Sequence, residues 1–411
     1  MGGMLIVTWQ GGGATQPAIG LGRELSARGH RVRVLAPARF AERIAAARCE
    51  HAAFPASAEF DAGHGRAMED QAPFLDATFF GSWLADAVAE QIAVCRPTVV
   101  VVDYLLRSAA TEVEAHGTPL VLLMHTAYRF HAGTAGDPDG PWGWRWQYRR
   151  VNRRRTASGL APLPAGPEPM SVTMARRADR TLVTVPAAFD GWPQPPTNVV
   201  HVGPISEEAA HPPWMPPWPA DDRRPLVVVT FGTTYMHQEH VVRRVLGALR
   251  GLDARVLVLT GLELGPSELP AGPSVCVEAY IPHAAVLPHA AVVVSHAGMG
   301  SLLEAFRAGV PSVCIPLGRD QADNAAAAAE RGAAIALPAD APVDHIRAAI
   351  SRALTSPSLR NGARQMATAI AACGGAPAAA GQVEQVARGS ASPASAGAGA
   401  PGCAPPILTV S

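Results

Sequence analysis

Val292-Val-Val-Ser-His-Ala-Gly-Met-Gly-Ser-Leu-Leu-Glu304 combines an apolar run, a glycine turn and the start of a helical pattern. The run ends at Ser295, and its unbroken apolar character is typical of a parallel strand covered on both faces. Gly298 and Gly300 allow a sharp turn, after which the free N–H groups of a helix face the edge of the sheet. The stretch predicts a parallel α/β domain with an anion-binding site at the carboxyl end of one strand.

The same order of elements opens the chain. Residues 4–9 are apolar, Gly11-Gly12-Gly13 forms a turn, residues 17–28 follow a helical pattern, and residues 31–35 form a second strand candidate. This is a βαβ unit, which implies parallel pairing. Other strand candidates are residues 98–102, 119–124, 226–231, 255–259, 274–277, 291–294 and 312–315. The repeated rhythm predicts an α/β fold of two facing, doubly wound parallel-sheet domains with a cleft between them.

Composition suggests where the two domains begin and end. We expect an amino-terminal domain over residues 1–190 and a second domain over residues 226–388, whose last helices can return to the first domain. Residues 191–225 are dense in proline, which lacks an N–H donor and does not fit a helix or a sheet interior, so they are predicted to be a linker. Residues 389–411 are rich in Ala, Ser, Gly and Pro, which predicts a disordered tail.

The charged residues exclude several classes of protein. Lys+Arg total 34 and Asp+Glu total 34, so the formal net charge is zero. A dedicated nucleic-acid-binding protein normally has a basic excess, so we expect no nucleic-acid partner. Every one of the basic residues is arginine. Arginine cannot replace the essential lysine of a P-loop NTPase, a protein kinase or a pyridoxal enzyme, and these classes are excluded.

The cysteines and the amino terminus indicate the expected compartment. The six cysteines are scattered, with no C-x-x-C pair, so we expect neither a disulfide framework nor a zinc site. The first ten residues, MGGMLIVTWQ, lack the basic region of a signal peptide. No uncharged apolar stretch approaches the ~18 residues that a membrane helix needs. We therefore expect a cytoplasmic protein without stable membrane insertion.

Polar side chains follow the strand and turn of residues 292–300. His296 and Ser301 can donate hydrogen bonds to a phosphate at the start of the helix. Glu304 lies one helical turn beyond Gly300, where a carboxylate can accept hydrogen bonds from a ribose diol. Simpler roles are open for two of them, because His296 can be a core histidine and Glu304 can interact with the helix dipole.

Two further strand ends of the second domain carry polar residues. Thr233 follows the strand candidate at residues 226–231, and Asp320 and Gln321 follow the one at residues 312–315. The carboxyl ends of parallel strands share one edge of the sheet, so these groups are expected near the same ligand. For Asp320 the alternative is an ordinary N-cap of the next helix.

Residues 280–324 resemble the donor-binding signature of the family-one nucleotide-sugar glycosyltransferases. The resemblance rests on Tyr280-Ile-Pro-His283, Leu287-Pro-His289, Ser295-His-Ala-Gly-Met-Gly-Ser301, Glu304, Gly309-Val-Pro311 and Gly318-Arg-Asp-Gln-Ala-Asp-Asn324. In the first half, Gly11-Gly-Gly13, Pro17 and Leu25-Ser-Ala-Arg-Gly-His-Arg-Val32 also resemble the family. The resemblance implies the GT-B fold of two facing Rossmann-like domains, with a nucleotide-sugar donor bound to the second.

The resemblance also implies roles for individual residues. Tyr280 would lie against the nucleobase, and the turn and first helical residues would hold the diphosphate. Glu304 would bind the ribose, and Asp320 and Gln321 would meet sugar hydroxyls. The implied donor-binding residues are Thr233, Tyr280, His296, Gly298, Gly300, Ser301, Glu304, Asp320 and Gln321.

The usual catalytic base of the family has no counterpart here. Relatives carry a histidine in the loop after the first strand, oriented by an aspartate on a neighbouring strand, whereas this chain has Gln10. A glutamine amide has no useful basicity near neutral pH, so it can position a group but cannot accept its proton. Asp103 matches the orienting aspartate, and His125 ends the next strand candidate. With strand order 3-2-1-4-5 these side chains can share a pocket, so Asp103 alone or an Asp103–His125 pair are the candidate bases.

The segment from Trp142 to Arg155 is rich in tryptophan and arginine. Aromatics interleaved with arginine can bind nucleic acid or membrane surfaces, which the zero net charge disfavours. An amphipathic flap whose residues Trp142, Trp144 and Trp146 line an acceptor pocket is one alternative. An ordinary solvated helix face is the other.

The favoured function is an inverting glycosyltransferase. It would move a sugar from a UDP- or dTDP-sugar to an apolar or aromatic small molecule, which the resemblance implies is a secondary metabolite, with no metal or other cofactor. The alternative, motivated by Gln10, is a non-catalytic homologue that binds a nucleotide sugar or activates a partner transferase.

An NAD(P)-dependent oxidoreductase is a poor third candidate. The turn at residues 11–16 reads G-G-G-A-T-Q and lacks the third glycine of the dinucleotide-binding fingerprint. The second strand candidate leads into Ala36 and Pro37, so it offers no acidic residue for a ribose.

Overall fold

The computed structural model describes residues 3–11, 13–55, 68–131, 143–164, 166, 168–191, 195–207, 213–232, 236–261 and 264–389. Within these residues the chain forms two parallel β-sheets, each with helices packed around it. The expectation of two doubly wound α/β domains is confirmed. Thr233, Trp142, Gly12 and all of the predicted tail except Gly389 lie outside the described residues.

The first sheet has the strand order β3-β2-β1-β4-β5-β6-β7. Its strands are β1 (Gly3–Val7), β2 (Arg31–Ala36), β3 (Glu50–Ala53), β4 (Val99–Asp103), β5 (Leu120–Met124), β6 (Arg180–Val183) and β7 (Val199–His201). The accompanying helices are α1 (Thr15–Ala27), α2 (Ala41–Ala46), α3 (Met68–Phe80), α4 (Ser82–Cys95), α5 (Arg107–Ala115), α6 (Trp144–Ala157), α7 (Met170–Arg177) and α8 (Ala187–Asp190).

The second sheet has the strand order β10-β9-β8-β11-β12-β13. Its strands are β8 (Leu226–Thr230), β9 (Arg255–Leu259), β10 (Val275–Glu278), β11 (Val292–Ser295), β12 (Ser312–Cys314) and β13 (Ala334–Ala336). The helices are α9 (Glu239–Leu249), α10 (His283–Val286), α11 (Met299–Arg307), α12 (Gln321–Glu330), α13 (Val343–Thr355), α14 (Pro357–Ala371) and α15 (Gly375–Gly389).

The central strands have the apolar character that burial on both faces requires. All five residues of β4, Val-Val-Val-Val-Asp, are buried, as are all five of β5 and of β8. β4 lies between β1 and β5, with Val7 opposite Val102 and Asp103 opposite Leu123. This register brings the residues that follow β1, β4 and β5 to one edge of the first sheet.

The range expected to be a linker contains a strand. β7 lies within residues 191–225 and pairs in parallel with β6, where Thr181 is opposite Val199. Between Pro196 and Pro204 the chain has no proline, so its N–H groups can join the sheet, and Val202 N donates to Val183 O. Proline density over the whole range concealed this short segment, and the interdomain connection begins after it.

The last helix lies on the first domain. α15 packs against α1, where Ala379, Ala380 and Val383 are buried in one apolar cluster with Leu21 and Leu25. Glu384 on α15 accepts a hydrogen bond of 3.0 Å from His30. The chain therefore crosses back after the second sheet is complete and ties the two domains together.

No helix of the described residues combines the length and the apolar character needed to cross a membrane.

Candidate active site

The carboxyl edge of the first sheet holds a hydrogen-bonded His–Asp pair. His125 follows β5 and Asp103 ends β4, and His125 Nδ1 lies 2.9 Å from Asp103 Oδ2. The other carboxylate oxygen of Asp103 accepts the N–H of Leu105 at 3.0 Å. The Asp103 side chain is 1% exposed and that of His125 14%. Asp103 thus orients the imidazole and is itself shielded, while His125 Nε2 has no hydrogen-bond partner among the described residues.

The surroundings of His125 favour its protonated form. Burial lowers the pKa of the imidazole, but the carboxylates of Asp103 and Asp320 outweigh this effect and raise it above its ordinary value of 6.5. A raised pKa makes the neutral imidazole a stronger proton acceptor. Of the two candidate bases, the geometry favours His125 as the proton acceptor and Asp103 as its orienting partner.

The loop after β1 packs against this histidine. A Cβ added to Gly13 would lie 2.9 Å from Cδ2 of His125, so a side chain at this position would displace the ring. Gln10, in the same loop, is half-buried, and both atoms of its amide group are shielded from solvent without a hydrogen-bond partner among the described residues. The site therefore has an imidazole, but it comes from β5 instead of the loop after β1.

Asp320 links the second domain to this pair. Its Oδ2 accepts a hydrogen bond of 3.2 Å from the hydroxyl of Thr126 on the first domain, and one of 3.1 Å from the amide of Asn324. Asp320 is the N-cap residue of α12, but its side chain makes no capping hydrogen bond. The N-cap alternative does not account for the carboxylate, which points to the first domain, next to His125.

Gln321 lies differently from what was expected. Its Oε1 accepts hydrogen bonds from the backbone N–H groups of Leu317 at 2.8 Å and Gly318 at 3.1 Å. The residue is buried, and its Nε2 lies against the sulfur of Met236. Gln321 holds the loop that precedes α12, so in this structure its amide is not presented to a sugar.

The turn between β11 and α11 is built tightly around His296. Cβ atoms added to Gly298 and Gly232 would lie 2.5 Å and 2.9 Å from its ring. Ala297, between His296 and Gly298, has a positive φ of 62°, a conformation that non-glycine residues adopt rarely. By contrast, a Cβ on Gly300 would meet nothing within 4 Å. The helix begins at an open surface beside a closely packed imidazole.

His296 is neutral at physiological pH. Burial, helped by the positive charge of Arg319, lowers its pKa to about 4, although Asp320 opposes the shift. Its Nδ1 is buried and lacks a partner within the described part of the chain. A neutral imidazole retains one N–H group, which can donate a hydrogen bond to an anionic group at the start of α11.

Glu304 and Tyr280 are the residues that the resemblance assigns to the nucleoside. Glu304 is half-buried on α11, 3.5 Å from Arg307 Nε, and burial raises the pKa of its carboxyl although Arg307 opposes the change. Tyr280 follows β10 and is 64% exposed, which is unusual for a large aromatic side chain. The structure thus brings His296, Gly298, Gly300, Ser301 and Glu304 together on one strand–turn–helix unit.

The tryptophan-rich helix α6 packs on the helices of the first domain. Trp146 contacts Phe80 with 5.2 Å between ring centroids, and Trp144 contacts Tyr148 at 6.1 Å. Its arginines face acidic partners, with Arg155 Nη1 2.6 Å from Glu114. These arginine–carboxylate contacts help to hold the helix on the first domain.

Sequence reasoning missed two residues at this site, Thr126 and Arg107. Thr126 directly follows His125, and Arg107 opens α5 four residues after Asp103. Both residues come shortly after the carboxyl end of a strand that the sequence had identified as buried, and this position could have marked them as candidates. As for metals, the described residues contain no cluster of His, Cys, Asp and Glu that could hold an ion.

Comparison with known families assigns a domain type to each half of the chain. Residues 11–157 match the model of a family described as Glycosyltransferase Family 4. Residues 243–385 match the model described as Erythromycin biosynthesis protein CIII-like, C-terminal domain. The second match contains the strand–turn–helix unit around His296.

Individual relatives match over most of their length. The chain is similar to demethyllactenocin mycarosyltransferase of Streptomyces fradiae, with 25% identity over 90% of this chain and 84% of the relative. The solved glycotransferase of kitacinnamycin superposes with a TM-score of 0.76 and 23% identity, covering 94% of this chain and 98% of that one. Glycosyltransferase VinC, solved in complex with dTDP, superposes with a TM-score of 0.67 and 19% identity, covering 94% and 99%.

Proposed function

Since the chain belongs to the family-one glycosyltransferases of the natural-product type, with the two Rossmann-like domains of the GT-B fold, we propose that it is an inverting transferase. It moves a sugar from a UDP- or dTDP-sugar to a hydroxyl group of an apolar or aromatic secondary metabolite. The observation that carries the proposal is the His125–Asp103 pair, which faces Asp320 across the domain boundary.

The donor occupies the second domain. The start of α11 offers free backbone N–H groups and the positive end of the helix dipole to the diphosphate, beside the neutral imidazole of His296. Open space at Gly300 lets a phosphate approach the backbone. Glu304 accepts hydrogen bonds from the ribose, and the exposed ring of Tyr280 stacks on the base. VinC, which shares this fold, has been solved with dTDP.

The chemical step is a single displacement. His125 Nε2 removes the proton of the acceptor hydroxyl, and the oxygen attacks the anomeric carbon as the bond from that carbon to the diphosphate breaks. The proton stays on His125, where Asp103 stabilises the imidazolium, and the negative charge leaves with the nucleoside diphosphate at the start of α11. One displacement inverts the anomeric configuration, and in this proposal Asp320 holds sugar hydroxyls during it.

Ligand binding and turnover test the two parts of the proposal separately. Thermal unfolding is measured with UDP, dTDP and NAD, since a ligand at 100 times its dissociation constant adds ~2.7 kcal/mol to stability. We expect a shift with a pyrimidine diphosphate and none with NAD. Transfer is then measured with UDP- and dTDP-glucose and a panel of phenols, and NMR of the product gives its anomeric configuration. A shift with NAD alone, or retention of configuration, would contradict the proposal.

A non-catalytic homologue is the second candidate, because Gln10 stands where relatives have a basic residue. It predicts a thermal shift with a pyrimidine diphosphate but no product with any acceptor. Recovery of turnover in the Gln10→His variant would favour this candidate.

A further inference from the structure

The first turn of α5 contains a buried cation. Arg107 is 5% exposed and lies at the carboxyl edge of the first sheet, directly after the short loop that follows Asp103. Its Nε and Nη1 groups are shielded from solvent and have no hydrogen-bond partner within the described residues. Burial lowers the pKa of the guanidinium to about 10, with Tyr104 and Asp103 opposing the shift, so the group remains charged at neutral pH.

Arg107 lies one aromatic ring away from the proposed base. Its guanidinium carbon is 5.7 Å from the centroid of the Tyr104 ring, and that ring meets the His125 ring edge-on at 5.0 Å. The nearest carboxylate along the chain, Asp103, already accepts hydrogen bonds from Leu105 and His125. Arg107 thus belongs to the acceptor side of the site, and within the described residues its charge is not matched by a direct ion pair.

The first two turns of α5 carry two more polar groups. Ser108 and Thr111 are both buried, and neither hydroxyl has a hydrogen-bond partner in the part of the chain that is described. Residues three and four positions apart share a helix face, so Thr111 lies below both Arg107 and Ser108. The helix has no side-chain cap, because its N-cap residue is Leu106. A row of hydrogen-bond donors therefore lies at the positive end of a helix dipole.

A buried charge without a partner is costly, and proteins retain one mainly where another group compensates it. Guanidinium groups suit carboxylates best, because their parallel N–H donors match the two oxygens. We propose that Arg107 binds a carboxylate of the acceptor, so that the natural acceptor is a hydroxy acid held with its hydroxyl group toward His125. This inference rests on the proposed function and names the chemical class of its acceptor.

Matched pairs of small molecules test the inference. Hydroxybenzoates, hydroxycinnamates and hydroxynaphthoates are each compared with their methyl esters for binding to the full chain in the presence of UDP or dTDP. We expect at least one acid to bind 10-fold or more tightly than its ester to the wild type. In Arg107→Met this preference should disappear, whereas Arg107→Lys should retain part of it. Arg153→Met, which removes an exposed arginine of α6, should keep the full preference.

Two outcomes overturn the inference: no acid binds better than its ester, or the preference persists in Arg107→Met. Stability provides a second readout. Removal of a buried cation that has no ion-pair partner among the described residues should leave the melting temperature of the free protein unchanged or higher. A purely structural arginine would instead lower it. The nucleotide-induced shift and transfer to the neutral esters report on the proposed function separately, so that function can stand while the carboxylate site fails.

Discussion

Asp103 accepts hydrogen bonds from the backbone of Leu105 and from the ring of His125, one on each carboxylate oxygen. A buried carboxylate that is engaged in this way is well suited to hold an imidazole and poorly placed to receive a substrate proton. Gln10 approaches from the other side of β4 and contributes no basicity. Of the two residues that flank Asp103, only His125 has a side chain that can accept a proton near neutral pH, so His125 is assigned as the proton acceptor.

His125→Ala should lower kcat by ~10²–10⁴-fold, because it removes the group that accepts the acceptor proton. Asp103→Asn should lower kcat less, since the ring remains but loses its orientation and the stabilisation of its charged form. Steady-state kinetics with a fixed acceptor, together with the donor dissociation constant, distinguish this result from a general loss of structure. Wild-type kcat in both variants would mean that no side-chain base operates.

The pH profile should report the same pair. His125 accepts a proton only when it is neutral, so activity should fall as pH drops through its pKa, which Asp103 and Asp320 hold above 6.5. The acid limb of kcat/KM should accordingly have its midpoint above pH 6.5 and move to lower pH in Asp103→Asn. If the acid limb has the same midpoint in the wild type and in Asp103→Asn, the group that titrates is not His125.

His296 should make the fold sensitive to acid. Its pKa is about 4 in the folded chain and ordinarily 6.5, so as pH falls from 6.5 to 4 the unfolded chain binds a proton that the folded chain does not. Stability should decrease over this window by up to ~1.4 kcal/mol per pH unit. Denaturant unfolding of wild type and His296→Gln at pH 7 and 5 measures the difference, which should be smaller in the variant.

Among the elements, the start of α11 shows how packing and openness are combined. Gly298 is pressed against the ring of His296, whereas Gly300, two residues later, faces open space. The turn can therefore be rigid at its base and accessible at the first helical residues. This division is what a helix N-terminus needs to receive an anion without rearranging.

The two glycines form a matched pair of variants. Gly298→Ala should lower the melting temperature, because the added methyl group would lie 2.5 Å from Nε2 of His296. Gly300→Ala should leave the melting temperature unchanged or slightly higher, because alanine suits a helix better than glycine. It should weaken donor binding, since the methyl group would occupy the space expected for the phosphate. Thermal unfolding and nucleotide titration separate the two effects. Equal donor affinity in Gly300→Ala and wild type would move the diphosphate away from this residue.

Across the whole molecule, the two domains share one apolar cluster. Tyr104, Met124 and Phe189 from the first domain are buried together with Leu302 and Phe306 from α11. The rings of Phe189 and Phe306 are 6.2 Å apart. This shared core, together with the return of α15 to α1, holds the carboxyl edges of both sheets against each other, which the displacement reaction requires.

Arg331 should contribute to this closure. At the end of α12 it donates hydrogen bonds to the carbonyl groups of Ala188 at 3.0 Å and Phe189 at 2.9 Å. Arg331→Ala should destabilise the chain by ~1–3 kcal/mol and broaden the unfolding transition seen by calorimetry, because the domains would become less tightly coupled. Arg352→Ala, which removes an exposed arginine of α13, is the control and should unfold like the wild type. An unchanged, single sharp transition in Arg331→Ala would show that the contact is not needed for coupling.

Much of this arrangement could be predicted because it depends on local patterns. Unbroken apolar runs identified β1, β4, β5, β8 and β11, and glycines after two of them marked the turns into α1 and α11. Strand direction then followed from the βαβ order, since crossover connections have one hand. Polar residues directly after these strands, such as Asp103, His125 and His296, could be placed at the cleft without coordinates.

Other features depend on groups far apart in the chain, and no local pattern records them. Thr126 and Asp320 meet across the domain boundary, and the amide of Gln321 is used by its own loop. Arg107 is buried, and its Nε and Nη1 groups have no hydrogen-bond partner among the described residues. The pKa shifts of His125 and His296 have the same origin. Desolvation and Coulomb interactions depend on distance in space and not along the chain, so only the folded structure separates the base from its orienting carboxylate.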